Sequence, residues 1–445
     1  MSQKIISDIT SHKKIIAVYG LGNVGAPIAA AWLRAGAKVI GIDISSDLLD
    51  QIHAGTSHTK EPFISQTFTK ALKNGTLTIT SDGKKASHDS HIKIVAVPVA
   101  LKNNKIDLSA LLAVTKNISY GLKKNDAVII CPSIPPGTTR KIIGPILERS
   151  KLSTDKDFYL IYNPERIYEG RALQDIESNY PAIVSGFGQN SLKFAEGLLK
   201  IISKKGILSM STLESAEAEK LFEGVYRDVN IALANELADF CERNGINYWE
   251  ARLGANSQPY CHLHYPGTGV GGLCIPVYPQ FIINASKKIN MHVKLTEFSR
   301  KINDNMPIKC VIDSIELLNK NDIKIKNAKI AVLGLAFRGE VVDTRLSPTY
   351  VVVDEFLKRG CNVTVHDPYV THDDYLPPSV KLSKDLQSVV QEANLVFIST
   401  DHKVYAKLNK NSFSKASKPL LIFDGRNILA KNNFKDVSIM TVGMR

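Results

Sequence analysis

"KKIIAVYGLGNVGAPIAAAWLRAGAKVIGIDIS", residues 13–45, decides the fold. The apolar run 15–19 reads as a buried strand. It meets Gly20-x-Gly22-x-x-Gly25, then an alanine-rich helical stretch closing near Gly36, then a second apolar run, 38–42, that stops at Asp43. Strand, glycine turn, helix, strand and acid in this order describe one Rossmann unit. Glycines permit the tight turn and let backbone approach a pyrophosphate, with Leu21, Asn23 and Val24 completing the loop. The helix N-terminus adds free N–H groups and partial positive charge. A carboxylate at Asp43 suits a ribose diol and repels a 2′-phosphate, so the expected cofactor is NAD rather than NADP.

Further strands are expected in "IKIVAVPV" (92–99), "DAVIICPS" (126–133) and "FYLIYNPE" (158–165), each ending in a turn with proline. Ligands of such sheets sit beyond the carboxyl ends of the strands, which brings forward Pro98, Ser133 and Glu165. Turn chemistry alone would also account for Pro98. The pattern returns at 329–370 as strand, Gly334-x-Ala336-x-x-Gly339, helix, and strand ending at Asp367. Here the middle glycine is alanine, and Arg338 and Arg345 crowd the turn. A polyphosphate ligand other than a second NAD fits better. "NLVFIST" (394–400) and "PLLIFDG" (419–425) extend this second sheet.

Residues 206–305 read as helical. Ser211-Thr212-Leu213-Glu214 is a capping-box pattern and Gly245 a helix-ending glycine, bounding one long helix of the kind that bridges domains and forms dimer interfaces. On it Lys220, Gly224 and Arg227 share a face, while Leu221, Val225 and Val229 suit the core. Lys220 is either a solvated helix lysine or an acid–base or oxyanion group.

The 445 residues carry a formal charge of +13. The lysines are dispersed and not interleaved with aromatics, which argues against nucleic acid and for an anionic small-molecule substrate. No apolar run is long enough to span a membrane, and residues 1–13 read as a flexible, polar extension without an export signal. The six cysteines form no C-x-x-C pair and are expected to be reduced, as in the cytoplasm. "CHLHY" (261–265) is read as a loop and not a metal site, because neighbouring positions on an extended segment point apart. "GVGGLCIPVYP" (269–279) surrounds Cys274 with glycines and proline. Glycines there would open a path to the thiol and leave backbone N–H groups free for an oxyanion. Beside NAD such a thiol suggests aldehyde chemistry; the alternative is an inert cysteine.

"GLGNVG", "PSIPPGTT", "NPERIYEG", "AEKLFEGVYRDVNIALANELA", "GVGGLCIP", "INDNMP", "GLAFRGEVVDTRLSP", "HDP" and "FDGRN", in this order, resemble the UDP-glucose/GDP-mannose dehydrogenase family. "RDVNIALANEL" and "GVGGLCIPV" are most similar to the branch acting on UDP-N-acetylhexosamines, UDP-N-acetylmannosamine above all. The resemblance implies a four-electron oxidation of the sugar C6 alcohol to a carboxylate with two NAD+. It makes Cys274 the nucleophile of a thiohemiacetal and thioester, Lys220 the acid–base or oxyanion residue, and Glu165 the group handling water or a proton. Arg166, Ile167, Gly224, Arg227, Gly271, Arg338 and Arg426 fall at substrate positions, and Val99 and Arg345 on the cofactor side. Four features depart from the family pattern. Gly224 stands where asparagine is expected, Tyr278 where aspartate is expected and Leu273 where the branch often has histidine, and the arginines usual before the glycine loop are missing. An oxyanion donor and a water-activating carboxylate are then both lost, but Tyr278 can still donate a hydrogen bond and Glu165 can supply the base, so activity is expected to survive, with substrate identity the property most affected.

The expected architecture is α/β, with two Rossmann-like parallel-sheet domains joined by a long central helix and a helical middle domain. The expected divisions are 1–205 for NAD, 206–310 for the helical dimerisation domain with the Cys274 loop, and 311–445 for the UDP-sugar. The expected partners are a UDP-sugar and a second copy of the chain, in the cytoplasm, with no metal, nucleic acid or membrane, feeding surface polysaccharide synthesis. Two rivals stand beside this reading. A two-electron dehydrogenase of the 3-hydroxyacid type would have no use for Cys274. A catalytically degenerate nucleotide-sugar binder would explain Gly224 and Tyr278.

Overall fold

The computed structural model describes residues 2–55, 59, 61–102, 105–429, 434 and 437–444. Two compact units divide the chain, residues 1–223 and 224–445.

The first unit is built on strands β1 (Ile16–Tyr19), β2 (Val39–Ile42), β3 (Leu77–Thr80) and β4 (Ile92–Val95). A small ribbon follows, β5 (Ala100–Lys102) against β6 (Lys105–Asp107). Then come β7 (Ala127–Ile130), β8 (Tyr159–Tyr162), β9 (Ala182–Gly186) and β10 (Ile207–Ser209). Apart from the ribbon they form one eight-stranded sheet in the order β10-β9-β8-β7-β4-β1-β2-β3. Only the β8–β9 pair is antiparallel. β1, β4 and β7 are buried along their whole length, which is why β1 and β7 read as unbroken apolar runs; β4 differs by one residue, Lys93, which is buried against Asp126. β1 lies between β2 and β4, and Tyr19 is in register with both Ile42 and Val95. The winding therefore reverses beside Gly20, and a crevice opens there.

The expected flexible extension over residues 1–13 is corrected. Ser2–Thr10 is a helix, and Ile5 and Ile9 are buried in the same core cluster as Leu198 and Leu199. Two isoleucines one helical turn apart make an apolar stripe that the surrounding polar residues disguise.

The second unit carries β11 (Lys329–Leu333), β12 (Asn362–His366), β13 (Lys381–Ser383), β14 (Leu395–Ile398), β15 (Leu421–Asp424) and β16 (Ser438–Thr441). They pair all-parallel in the order β13-β12-β11-β14-β15-β16. The residues after β16 tie the helical segment to this sheet. Trp249 Nε1 donates to the Val442 carbonyl at 2.8 Å, the Tyr248 N–H to Gly443 O at 2.9 Å, and the Gly443 N–H to Glu242 Oε1 at 2.7 Å. Glu242 in turn holds Lys309 Nζ at 2.9 Å.

One helix, Leu213–Arg243, crosses the boundary between the units. Its first turn is capped one position later than the sequence suggests. Thr212 Oγ1 accepts from the Ser215 N–H at 3.0 Å, so the Ser211/Glu214 box is not the one used. Gly245, at φ +67°, follows its end as expected. Gly224 sits in its interior, where glycine costs about 1 kcal/mol relative to alanine.

Candidate functional site

In the first unit, Gly20 leaves β1 at φ +90°, and a side chain there would press on the Ala96 carbonyl, 3.1 Å away. Gly25 opens the helix Gly25–Arg34, and a Cβ on it would lie 1.7 Å from Gly20 O. Gly22, by contrast, faces open space. Leu21 is buried, Asn23 exposed and Val24 half-buried, and Val24 contributes no side-chain cap to the helix N-terminus. Half-exposed Asp43 accepts from the Leu21 N–H at 2.8 Å and the Ser45 N–H at 3.0 Å. Beyond β4, Pro98 is exposed and Val99 half-buried. Beyond β7, the Ser133 hydroxyl is buried without a hydrogen-bond partner. A dinucleotide fits this set. There is open space over a cradle that only glycine allows, an uncapped helix N-terminus for phosphate, an acid at the ribose position and an unsatisfied hydroxyl.

Glu165 follows β8. Its Oε1 lies 3.7 Å from Lys220 Nζ and its Oε2 accepts the Ile167 N–H at 3.0 Å. Burial raises its pKa, and Lys220 pulls against that rise. Lys220 is itself only 7% exposed, so the solvated-lysine alternative does not describe it. Arg166 stacks over the Tyr180 ring at 4.8 Å and reaches Glu223 at 3.7 Å. Glu219, pushed up to about 7 by burial and then by Glu223, completes a crowded group of carboxylates. A carboxyl held above its usual range next to a lysine can exchange protons near neutral pH.

Sequence reasoning missed Glu217. Fully buried on the long helix, it accepts the Gly137 N–H and, at 2.8 Å, the Thr139 N–H, so it fixes the "PSIPPGTT" turn that holds Ser133. A glutamate beside Ala216 on the buried face of the helix was the available signal.

In the second unit, Cys274 is exposed, whereas Cys131, Cys241, Cys310 and Cys361 are buried and Cys261 is half-buried. The glycines before it do not open a hollow. A Cβ on Gly271 would meet Leu346 O at 2.6 Å and Phe337 Cβ at 2.7 Å, and one on Gly272 would meet the Phe337 ring at 2.8 Å. Nor are the N–H groups at both ends of this run free. Gly267 N–H donates to Asn235 Oδ1 at 2.9 Å and Gly272 N–H to the Arg345 carbonyl at 3.0 Å. The glycines are there so that protein can pack on the loop, which corrects the expectation of an unobstructed, donor-rich approach. Asn235 is positioned through Asn303 and Asp228 to Arg300, a buried polar chain that periodicity did not reveal.

Arg227 is exposed, although Lys220 and Gly224, read as sharing its face, are buried. Arg345 is exposed and paired with Asp343. Arg338 is half-buried near Phe337, and half-buried Arg426 donates from Nε to Ser399 O at 2.8 Å. No group of three or more His, Cys, Asp or Glu suited to a metal occurs among the described residues, and none of their helices is long and apolar enough to cross a membrane.

Three domain models of the UDP-glucose/GDP-mannose dehydrogenase family match the chain. They are the NAD binding domain at 14–202, the central domain at 214–305 and the UDP binding domain at 331–431. A UDP-N-acetyl-D-mannosamine dehydrogenase from Pyrococcus horikoshii is 35% identical over 93% of this chain and 96% of its own length. One from Yersinia pestis is 32% identical over 88% and 94%. Among solved structures, the Pyrococcus horikoshii UDP-D-ManNAc dehydrogenase superposes with a TM-score of 0.88 at 33% identity, covering 96% of this chain and 99% of that one. An NDP-N-acetyl-D-galactosaminuronic acid dehydrogenase from Methanosarcina mazei gives 0.84 at 29% identity, covering 100% and 98%. With the nucleotide cradle, the second parallel sheet and the matched domains in agreement, the chain belongs to the UDP-glucose/GDP-mannose dehydrogenase family and is an NAD-dependent nucleotide-sugar dehydrogenase.

Proposed function

We propose that the protein oxidises the C6 alcohol of a UDP-N-acetylhexosamine, UDP-N-acetylmannosamine first among them, to the uronate in the cytosol. The observation that carries the mechanism is the buried Glu165–Lys220 ion pair of the first unit, in a family that uses NAD; the second unit contributes one exposed thiol, Cys274. The substrate preference is supported by the acetylmannosamine dehydrogenases among its relatives. The Gly20–Gly25 turn and Asp43 would hold NAD, which would supply the acceptor for two electrons at each oxidation.

Lys220 steadies the developing alkoxide, and Glu165 takes the proton. Cys274 adds to the aldehyde carbon, forming an S–C bond as a thiohemiacetal; oxidation of that adduct leaves a thioester. Water, activated by Glu165, whose pKa burial raises above the ordinary carboxylate value, then attacks the thioester carbon and the Cys274 thiolate leaves. Arg166, Ile167, Arg227, Gly271, Arg338 and Arg426 are the candidate sugar-nucleotide contacts, and Arg345, Pro98, Val99 and Ser133 the candidate cofactor contacts.

The expected assembly is a homodimer. Tyr226, Leu233 and Phe240 recur every seventh residue on the long helix and are 54%, 42% and 56% exposed, a self-complementary apolar seam for the same helix of a second copy. Light scattering of Leu233→Glu should give half the wild-type mass.

NADH release measured over UDP-ManNAc, UDP-GlcNAc, UDP-GalNAc and UDP-Glc tests the reaction. Two NADH per UDP-ManNAc are expected, and Cys274→Ser should lower uronate formation by about a thousandfold or more. One NADH per substrate would favour a two-electron dehydrogenase. Sugar binding without NADH would favour a degenerate binder, and full turnover by Cys274→Ser would remove the thioester.

A further inference from the structure

The two departures from the family pattern at positions 224 and 278 touch each other. A methyl group on Gly224 would stand 2.5 Å from Cδ2, 2.9 Å from Cβ and 3.1 Å from Cγ of Tyr278. Contacts under 3.0 Å between real side chains do not persist, so the ring of Tyr278 occupies the place where a side chain at 224 would begin. Tyr278 is 7% exposed, and its ring centroid lies 6.3 Å from that of fully buried Phe281, so the ring has little room to swing aside. This also explains why a glycine is retained in the middle of a 31-residue helix, where alanine would be the better helix former.

Tyr278 is the first residue of the helix Tyr278–Lys287, and Pro279 stiffens that first turn. The carbonyl of Cys274 accepts the N–H of Val277 at 3.1 Å and of Tyr278 at 2.9 Å. The thiol-bearing residue is thus hydrogen-bonded to the helix start that the Tyr278 ring anchors on Gly224.

We infer that Gly224 and Tyr278 form a notch and plug that sets the position of Cys274, making both of them positioning residues. The asparagine and aspartate expected by resemblance are exchanged together because either one alone would misfit its partner. As a statement about turnover this rests on the Cys274 chemistry proposed above; as a statement about the thiol's placement it does not.

The test is the rate of Cys274 alkylation by iodoacetamide, followed by peptide mass spectrometry to separate it from Cys261, with NADH turnover measured in parallel. Gly224→Ala is expected to change the alkylation rate by about tenfold and lower kcat by at least as much, with KM for NAD within about twofold. In a Tyr278→Ala background the 2.5 Å contact is gone, and the same Gly224→Ala step should change each rate by less than about threefold. Tyr278→Phe, which keeps the ring, should alkylate within about twofold of the wild-type rate, while Tyr278→Ala alone should not. Equal costs of Gly224→Ala in both backgrounds, or a Tyr278→Phe effect as large as that of Tyr278→Ala, would overturn the notch-and-plug. Should Gly224→Ala fail to fold, the two Tyr278 variants still decide. If alkylation shifts as expected while the wild type makes no uronate, the placement stands and the proposed reaction falls.

Discussion

The two parallel sheets begin alike and end as different sites. In the first, Gly25 opens its helix directly, Gly22 faces open space, and Asp43 is half-exposed at the lip of the crevice. In the second, residues 340–347 separate Gly339 from the helix Pro348–Lys358, and the turn is filled by its own protein. Gly339 N–H donates to Asp401 Oδ1 at 2.8 Å and Glu340 N–H to His402 Nδ1 at 3.0 Å. Asp367, the counterpart of Asp43, is fully buried. It accepts from the N–H groups of Leu335, Ala336, Tyr369 and Val370 at 2.8 to 3.0 Å, with His402 Nε2 3.2 Å away. These contacts overcome its desolvation and hold its pKa down at about 2. One string of strand, glycine turn and acid yields a half-exposed carboxylate at the crevice in one unit and a buried structural one in the other. The segment between the turn and its helix makes the difference.

The largest expected effect separates steric from functional glycines. Gly25→Ala drives a methyl group into the Gly20 carbonyl and should cost about 3 kcal/mol or more in urea melts, whereas Gly22→Ala should cost less than about 0.5 kcal/mol yet weaken NAD binding. Next, Asp367→Asn should destabilise the second unit by about 2 to 3 kcal/mol, with NAD affinity unchanged by calorimetry. A loss of NAD binding there would break the contrast between the two acids.

The units should also answer pH in opposite senses. Burial raises the Glu217 pKa from 4.5 to about 7, so the folded state holds that proton more tightly than the unfolded one. The stability so gained is complete below about pH 4.5 and is lost as pH rises through about 7. Asp367 is depressed from 3.8 to about 2, so its contribution is present above pH 3.8 and fails only as pH falls through 2. Between about pH 6 and about pH 8 the first unit should soften by about 1.5 kcal/mol while the second does not, read by hydrogen exchange at β7 and β11. Glu217→Gln should flatten the response of β7. The smallest effect belongs to Asp43→Ala, expected to weaken NAD by about tenfold with little change in melting.

Both sheets were legible because their signals are local. Each needs only an apolar run, a glycine turn and an acid within a few dozen residues. Glu165, Ser133 and Lys220 could be named for the same reason, since strand ends and helix faces follow from short-range periodicity. Three features could not be read. The Ser2–Thr10 helix rests on just two isoleucines in a polar segment. The crowding of the loop before Cys274 depends on Phe337, Leu346 and Pro348, remote in sequence from the glycines they touch. The exposure of Arg227 turns on helix rotation against neighbours, which spacing along one helix does not specify.

Glu217 and Glu214 also bear on how far this protein can be taken apart. Glu217 supplies the acceptors for two backbone donors of the "PSIPPGTT" turn, and Glu214 holds Arg140 at 2.9 Å, yet both reside on a helix that begins only at Leu213. A nucleotide-binding fragment severed near residue 205 would strand those donors in a dry interior and shed a counter-ion with them. Modular exchange of this domain, in the laboratory or by recombination, therefore has its natural seam within the helix near Glu223 rather than in the loop ahead of it.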